Sequence, residues 1–173
     1  MENEFVLYVE GPVEDLMDEL YEAECDDAGI ENINANYHRF DFIREAETFQ
    51  VAVRSAVDAV NGIDGLEVVA VDNDVNATQI AERLGRTRQW VDYLIRGERG
   101  PGGFPCGVGG QRNPLYDWGN VALWLERNGY SDLLEPGEVD RALTLTWEGA
   151  RVAQQRIARI IGEREGHPPL TIA

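Results

Sequence analysis

The hydrophobic positions in the first 74 residues change between the two-residue spacing of strands and the three-to-four-residue spacing of helices. Short β-rich runs predict strands, and two amphipathic stretches between them predict helices. The order β-α-β-β-α-β folds most economically as a ferredoxin-like sandwich, with both helices on one face of a sheet. The stretches that predict this α+β fold are residues 4–10, 13–24, 30–43 (two short strands or a hairpin), 49–60 and 66–71.

Two shorter amphipathic stretches separated by Gly85 follow a polar link at residues 72–74. Glycine suits the positive φ of a tight turn, and Ala81 is small where two helices would approach each other. Asn76 and Thr87 are placed to cap the two helices. This spacing predicts a helix-turn-helix whose apolar faces pack through Ile80, Leu84, Val91 and Leu94.

A glycine-rich loop with aromatic residues on either side follows the second of these helices. Phe104-Pro105 precedes the loop, the run 115–118 (Leu-Tyr-Asp-Trp) follows it, and residues 121–125 predict a helix ending in a Trp-Leu pair. In this order, residues 76–127 resemble the winged helix-turn-helix proteins of the excisionase and MerR types. The resemblance implies that Phe104-Pro105 begins one wing strand, that an aromatic-bearing strand returns, and that the helix packs the wing onto the hairpin.

The resemblance further implies a sequence-specific DNA-binding transcriptional regulator with no catalytic residues, cofactor or metal. A recognition helix over residues 87–96 would point its first turn at base edges, and a wing over residues 97–116 would contact the backbone or the minor groove. Arg88, Gln89 and Arg112 rank first among the candidates, whereas Trp90 could equally be partly buried under the wing. The candidate DNA contacts are Arg86, Thr87, Arg88, Gln89, Trp90, Tyr93, Arg96, Arg99, Gln111 and Arg112.

Charge is distributed very unevenly along the chain. The net charge is −17, and residues 1–74 carry all of it, with 20 acidic residues against three arginines. Residues 75–127 carry +2 and residues 128–173 carry −2, and every basic residue is an arginine. Since phosphate contacts need positive side chains, one copy should bind duplex DNA weakly. We therefore expect a homodimer that reads two half-sites.

The acidic first segment leaves several interpretations open. Its carboxylates could simply form a solvated surface, or they could repel DNA and so orient the duplex toward the arginines. They could also dock a basic protein partner, which would make the chain an antitoxin-like or anti-defence interaction module. A calcium site is not expected, because the glycine-turned loop of such sites is missing.

The remaining features set domain limits and exclude some classes. Residues 136–163 predict one helix, which we expect to pack on the wing or on a second chain, before a disordered tail from Gly166. We therefore divide the chain into domains 1–74 (dimerisation, sensing or partner binding), 75–127 (winged helix-turn-helix) and 128–173 (helix and tail). Cys25, Cys106, His38 and His167 lack metal-ligand spacing, and no phosphate loop or nucleophile elbow indicates an enzyme. No apolar run approaches the roughly 20 residues of a membrane span, so we expect a cytoplasmic protein.

Overall fold

The computed structural model describes residues 1–164 and has an α+β fold, as predicted. The predicted tail from Gly166 lies outside the described residues. Short 3₁₀ turns at Val13–Leu16 and Ser131–Leu133 accompany the regular elements. The strands are β1 (Glu2–Glu10), β2 (Ala28–Asn34), β3 (Tyr37–Glu45), β4 (Glu67–Val71), β5 (Asp74–Val75) and β6 (Tyr116–Asp117), and the helices are α1 (Met17–Glu22), α2 (Phe49–Asn61), α3 (Ala77–Leu84), α4 (Arg88–Ile95), α5 (Trp118–Arg127) and α6 (Glu138–Glu163).

The chain divides into two compact units. The first unit contains residues 1–72 together with residues 147–164, and the second contains residues 73–146. Helix α6 is therefore divided, with its first nine residues in the second unit and the rest in the first. Among the described residues, no helix combines the length and the apolarity that crossing a membrane requires.

The first unit is built on a four-stranded sheet in the order β2-β3-β1-β4, in which every neighbouring pair is antiparallel. Strand β1 lies in the middle, and its Tyr8 is opposite Arg39 of β3 and Ala70 of β4. The register with β4 shifts immediately after Tyr8. Because successive side chains of a strand point to opposite faces, Phe5, Leu7 and Val9 are buried on one face while Tyr8 lies on the other.

Helix α2 covers the buried face of this sheet. It begins where the Thr48 hydroxyl accepts a hydrogen bond from the Val51 amide at 3.1 Å, as its sequence predicts. One stripe of the helix is almost completely inaccessible to solvent, and the helix contacts β1 and β4 of the sheet. The members of that stripe are Ala52, Val53, Ala56, Val57 and Val60.

The part of α6 in the first unit is held by arginine–carboxylate pairs. Glu148 is fully buried, and it accepts hydrogen bonds from Arg54 of α2 at 2.8 Å and from Arg151 at 2.7 Å. Further along, Arg156 lies 3.1 Å from a carboxylate oxygen of Glu10. The amphipathic pattern of this helix therefore buries a charged residue as well as apolar ones.

The second unit has a core of buried apolar and aromatic side chains around α3, α4 and α5. Strands β5 and β6 pair antiparallel beside it, with Asp74 opposite Asp117 and Val75 opposite Tyr116. The predicted link at residues 72–74 contains the boundary between the two units, which falls between residues 72 and 73. Asn73 is 7% exposed and its side-chain amide donates to the Ala142 carbonyl at 3.0 Å, so this polar residue serves an internal hydrogen bond.

Candidate nucleic-acid interface

Helices α3 and α4 begin at residues whose side chains cap them, and α3 ends at a glycine. Asn76 and Gln79 form a reciprocal capping box at the start of α3, and Gly85 ends that helix with φ 61°. The Thr87 hydroxyl accepts a hydrogen bond from the Trp90 amide at 3.1 Å and caps α4. The predicted apolar contacts of the two helices are all buried, at Ile80, Ala81, Leu84, Val91 and Leu94.

Three arginines lie against two aromatic rings on the solvent side of α4. The guanidinium carbon of Arg86 is 5.3 Å from the ring centroid of Trp90, and that of Arg96 is 5.5 Å from the centroid of Tyr93. Arg99 lies against both rings, 5.9 Å from Trp90 and 5.8 Å from Tyr93. We call these five residues the arginine patch. Each guanidinium is thus held near a fixed surface by cation–π attraction.

A series of aromatic contacts connects the arginine patch with the core of the second unit. Trp90 meets Tyr130 edge-on at 5.7 Å, Tyr130 stacks on Trp124 at 5.9 Å, and Trp124 meets Phe104 at 5.1 Å. The Trp124 indole also donates a hydrogen bond to the Gly102 carbonyl at 3.2 Å. Because aromatic pairs of this geometry stabilise each other, they fix the ring on which two of the arginines rest.

The two residues of α4 that ranked first as base-reading candidates are exposed but already hydrogen-bonded. Arg88 donates to Asp92 at 3.1 Å and to the Thr78 hydroxyl at 3.0 Å. The side-chain amide of Gln89 donates to the Tyr93 hydroxyl at 2.9 Å. A base edge would therefore have to replace these bonds before either side chain could read it.

The expected wing strand at Phe104-Pro105 is absent from the described residues. Phe104 instead packs its ring against Tyr116 and Trp124, and only an isolated bridge joins Val108 to Leu115 further along. Proline cannot donate to a strand ladder, and several glycines of this loop have positive φ, which interrupts an extended strand. The returning strand is β6, and it pairs with β5 instead of with a wing strand.

Two of the predicted wing contacts, Gln111 and Arg112, do not belong to the arginine patch. Gln111 and Arg112 are exposed in the loop between Val108 and Leu115, and within the described residues their side chains make no hydrogen bond or ion pair. By contrast, Arg99 follows α4 closely, since its amide donates to the Tyr93 carbonyl at 3.1 Å. The structure thus brings together five of the ten predicted contacts and leaves these two outside.

The surface around α4 is cationic although the whole chain is strongly acidic. Residues 83–99 contain five arginines against two acidic residues, Asp92 and Glu98. Glu98 lies 3.4 Å from Arg96, with both side chains more than half exposed. Exposed pairs of this kind are weak, so an incoming phosphate can replace the carboxylate.

Part of the arginine patch was detectable in the sequence before its contacts were known. Arg96 follows Tyr93 by three residues, a spacing that brings side chains together on a helix. Arg86 lies before the Thr87 cap of α4, so its contact with Trp90 depends on the turn between α3 and α4. The contribution of Arg99 could not be predicted in this way, because it depends on how the chain turns after α4.

No known protein family, curated protein or solved structure matches the chain.

Proposed function

We propose that this protein binds duplex DNA through α4 and the arginine patch, as a sequence-specific transcriptional regulator. The second unit would act as a winged helix-turn-helix with a reduced wing, and the first as a ferredoxin-like domain. Two capped helices joined through a left-handed glycine support the former, and the strand order β2-β3-β1-β4 with α1 and α2 as crossovers supports the latter.

The observation that carries the proposal is the stacking of three guanidinium groups on Trp90 and Tyr93. Arginine donates to phosphate oxygens through a planar fork, and a side chain already held in place loses less conformational freedom on binding. Aromatic rings that continue into the core keep this arrangement ordered without a ligand. Such a surface is suited to a regularly spaced anionic backbone.

In this proposal, some residues contact the phosphates of the duplex and others contact base edges. Arg86, Arg96 and Arg99 would contact phosphates and set the position of α4 on the duplex. Arg88 and Gln89, in the first turn of α4, would exchange their internal hydrogen bonds for base edges in the major groove. The low net charge of the second unit favours a homodimer, because two linked half-sites compensate for weak single-copy binding.

The decisive experiment is a salt series with the full-length chain. Fluorescence anisotropy with a random-sequence duplex should show affinity that falls steeply as salt rises, and Arg99→Ala should weaken binding and lower the salt slope by about one. Arg127→Ala removes an exposed arginine at the end of α5 and is the matched control. The proposal is wrong if the full-length chain does not bind duplex at low salt, or if Arg99→Ala and Arg127→Ala behave alike.

Selection of binding sites from random duplex DNA tests the sequence-specific part separately. We expect an enriched motif with two related half-sites, and we expect Arg88→Ala to relax the preference at one position at a cost of about 1–3 kcal/mol. Recovery of unenriched sequences would leave DNA binding in place but contradict the assignment as a sequence-specific regulator.

A further inference from the structure

One face of the sheet in the first unit is not covered by α2. On this outer sheet face, Tyr8 of β1 lies opposite Arg39 of β3, and Arg39 lies opposite Glu31 of β2. Asp41 and Ile43 continue the same face along β3, and both are exposed. We define the outer sheet face by six residues: Tyr8, Glu31, Tyr37, Arg39, Asp41 and Ile43.

Two tyrosine rings are stacked on the outer sheet face. The ring centroids of Tyr8 and Tyr37 are 5.7 Å apart, with 19° between the ring planes. Neither side chain is fully buried, although adjacent strands present both rings side by side. Both residues are half-buried, and the part of the stacked pair that is open to solvent offers a flat π surface, which binds planar or cationic groups.

The charges around the tyrosines define what that surface attracts. Burial and the charge of Asp72 raise the pKa of Tyr8, and Asp41 acts in the same direction. Arg39 is the only arginine of this face among the described residues, and its charge is engaged by Asp41 at 2.9 Å. The face itself carries Glu31 and Asp41 against Arg39, and residues 1–74 as a whole carry 20 acidic residues against three arginines, so its surroundings are predominantly acidic.

These observations distinguish between two classes of partner. The bases of a single-stranded nucleic acid would stack on the tyrosines, but the surrounding carboxylates would repel its phosphates. A guanidinium group stacks on an aromatic ring equally well and is attracted by the same carboxylates. Lysine lacks the planar fork that pairs with a carboxylate through two hydrogen bonds.

We propose that the outer sheet face docks an arginine-rich segment of a basic protein partner. Guanidinium groups of that segment stack on the Tyr8–Tyr37 pair and form ion pairs with Glu31 and Asp41. A carboxylate accepts several hydrogen bonds, so Asp41 can pair with Arg39 and with the partner together. This site is separate from the arginine patch and does not depend on DNA binding.

Isothermal titration of the full-length chain with a nona-arginine peptide at physiological salt tests the proposal. We expect Tyr8→Leu with Tyr37→Leu to weaken binding by about tenfold, while Tyr37→Phe, which keeps the ring, leaves it nearly unchanged. Glu31→Gln with Asp41→Asn should also weaken binding. The matched control is Asp18→Asn with Glu22→Gln, which removes two equally exposed charges from α1 and should change little. Circular dichroism confirms that each variant remains folded.

Several results would overturn the inference. Equal losses in the outer-face and α1 charge pairs would mean that only general acidity attracts the peptide. Unchanged affinity in folded Tyr8→Leu/Tyr37→Leu would remove the role of the rings, and equal affinity for nona-lysine would remove the role of the guanidinium. Tighter binding of single-stranded oligouridine than of nona-arginine would identify nucleic acid as the ligand of this face. Arg99→Ala should leave peptide binding intact, so failure here is distinguishable from failure of the DNA proposal.

Discussion

Arg88 donates a hydrogen bond from Nε to Oδ1 of Asp92 at 3.1 Å, one turn further along α4. Both side chains are partly exposed, at 46% and 36%. Exposed pairs at this helical spacing contribute about 0.3–0.5 kcal/mol, so a ligand that offers Arg88 a better acceptor can break this one. Asp92 therefore holds the first base-reading candidate in place without blocking it.

Replacing Asp92 by asparagine should strengthen DNA binding. Asp92→Asn removes a negative charge from the proposed contact helix and the ion pair with Arg88, so we expect about threefold to tenfold higher affinity for duplex DNA at low salt and a smaller gain at high salt. The measurement is fluorescence anisotropy over a salt series. Glu82→Gln makes the same charge change at an exposed position of α3 and should produce a smaller gain. Equal gains in the two variants would show that Asp92 acts only through net charge.

The buried Glu148 should be a large single contributor to the stability of the first unit. Glu148→Gln removes the only carboxylate that Arg54 is paired with among the described residues and leaves Arg151 with Asp58 at 3.6 Å, and we expect the free energy of unfolding to fall by about 2 kcal/mol. The loss is smaller than for a fully buried pair because the Arg54 side chain is 43% exposed and can be hydrated. Urea unfolding measures it. Glu163→Gln, at a carboxylate 63% exposed, should change stability by less than about 1 kcal/mol, and an equal loss would contradict the buried role.

Gly119 is required for the close approach of α5 and α6 within the second unit. A Cβ at this position would lie 2.0 Å from Oγ1 of Thr146 and 2.9 Å from the Ala142 carbonyl oxygen. We therefore expect Gly119→Ala to lower the free energy of unfolding by about 1–3 kcal/mol.

The double variant Gly119→Ala with Thr146→Ala tests the cause of that loss. It should be less destabilised than the sum of the single variants, because the worst clash is gone. Complete additivity in thermal unfolding would show that the crowding at Thr146 is not the reason.

Asp74 should make the stability of the second unit depend on pH. Burial, with the charge of Asp117 adding to it, raises the pKa of Asp74 in the folded state. A raised pKa means that this carboxyl contributes stability below its unfolded pKa and loses that contribution as pH rises through its folded pKa. Asp74→Asn should therefore be more stable than the parent at pH 7, and this gain should shrink to nothing as the pH falls below the ordinary range of aspartate.

Urea unfolding between pH 3 and pH 7 measures this difference. Glu126→Gln, at an exposed position of α5, should show no comparable trend with pH. A gain for Asp74→Asn that persists unchanged at pH 3 would contradict the electrostatic explanation, because both states are then neutral at this position.

Short-range features of the fold were predictable, and the contacts between distant segments were not. The caps at Thr48, Asn76 and Thr87 each join a side chain to an amide three residues away, so the residue type alone indicates them. The pairing of β6 with β5 was missed because it joins residues more than 40 positions apart. A wing strand was expected at Phe104, but positive-φ glycines and the ring contacts of Phe104 prevent one.

The sequence by itself determined the positions of the capped helices, which of their faces are apolar, and that the acidic charge lies in the first 74 residues. These properties depend on backbone sterics and hydrogen bonds that act within a few residues. Only the tertiary structure decided that Arg99 rests on Trp90, that Glu148 is buried against Arg54, and that Tyr8 stacks on Tyr37. These contacts join residues that are separated in sequence. Such side chains become neighbours only when a shared core brings their backbones together.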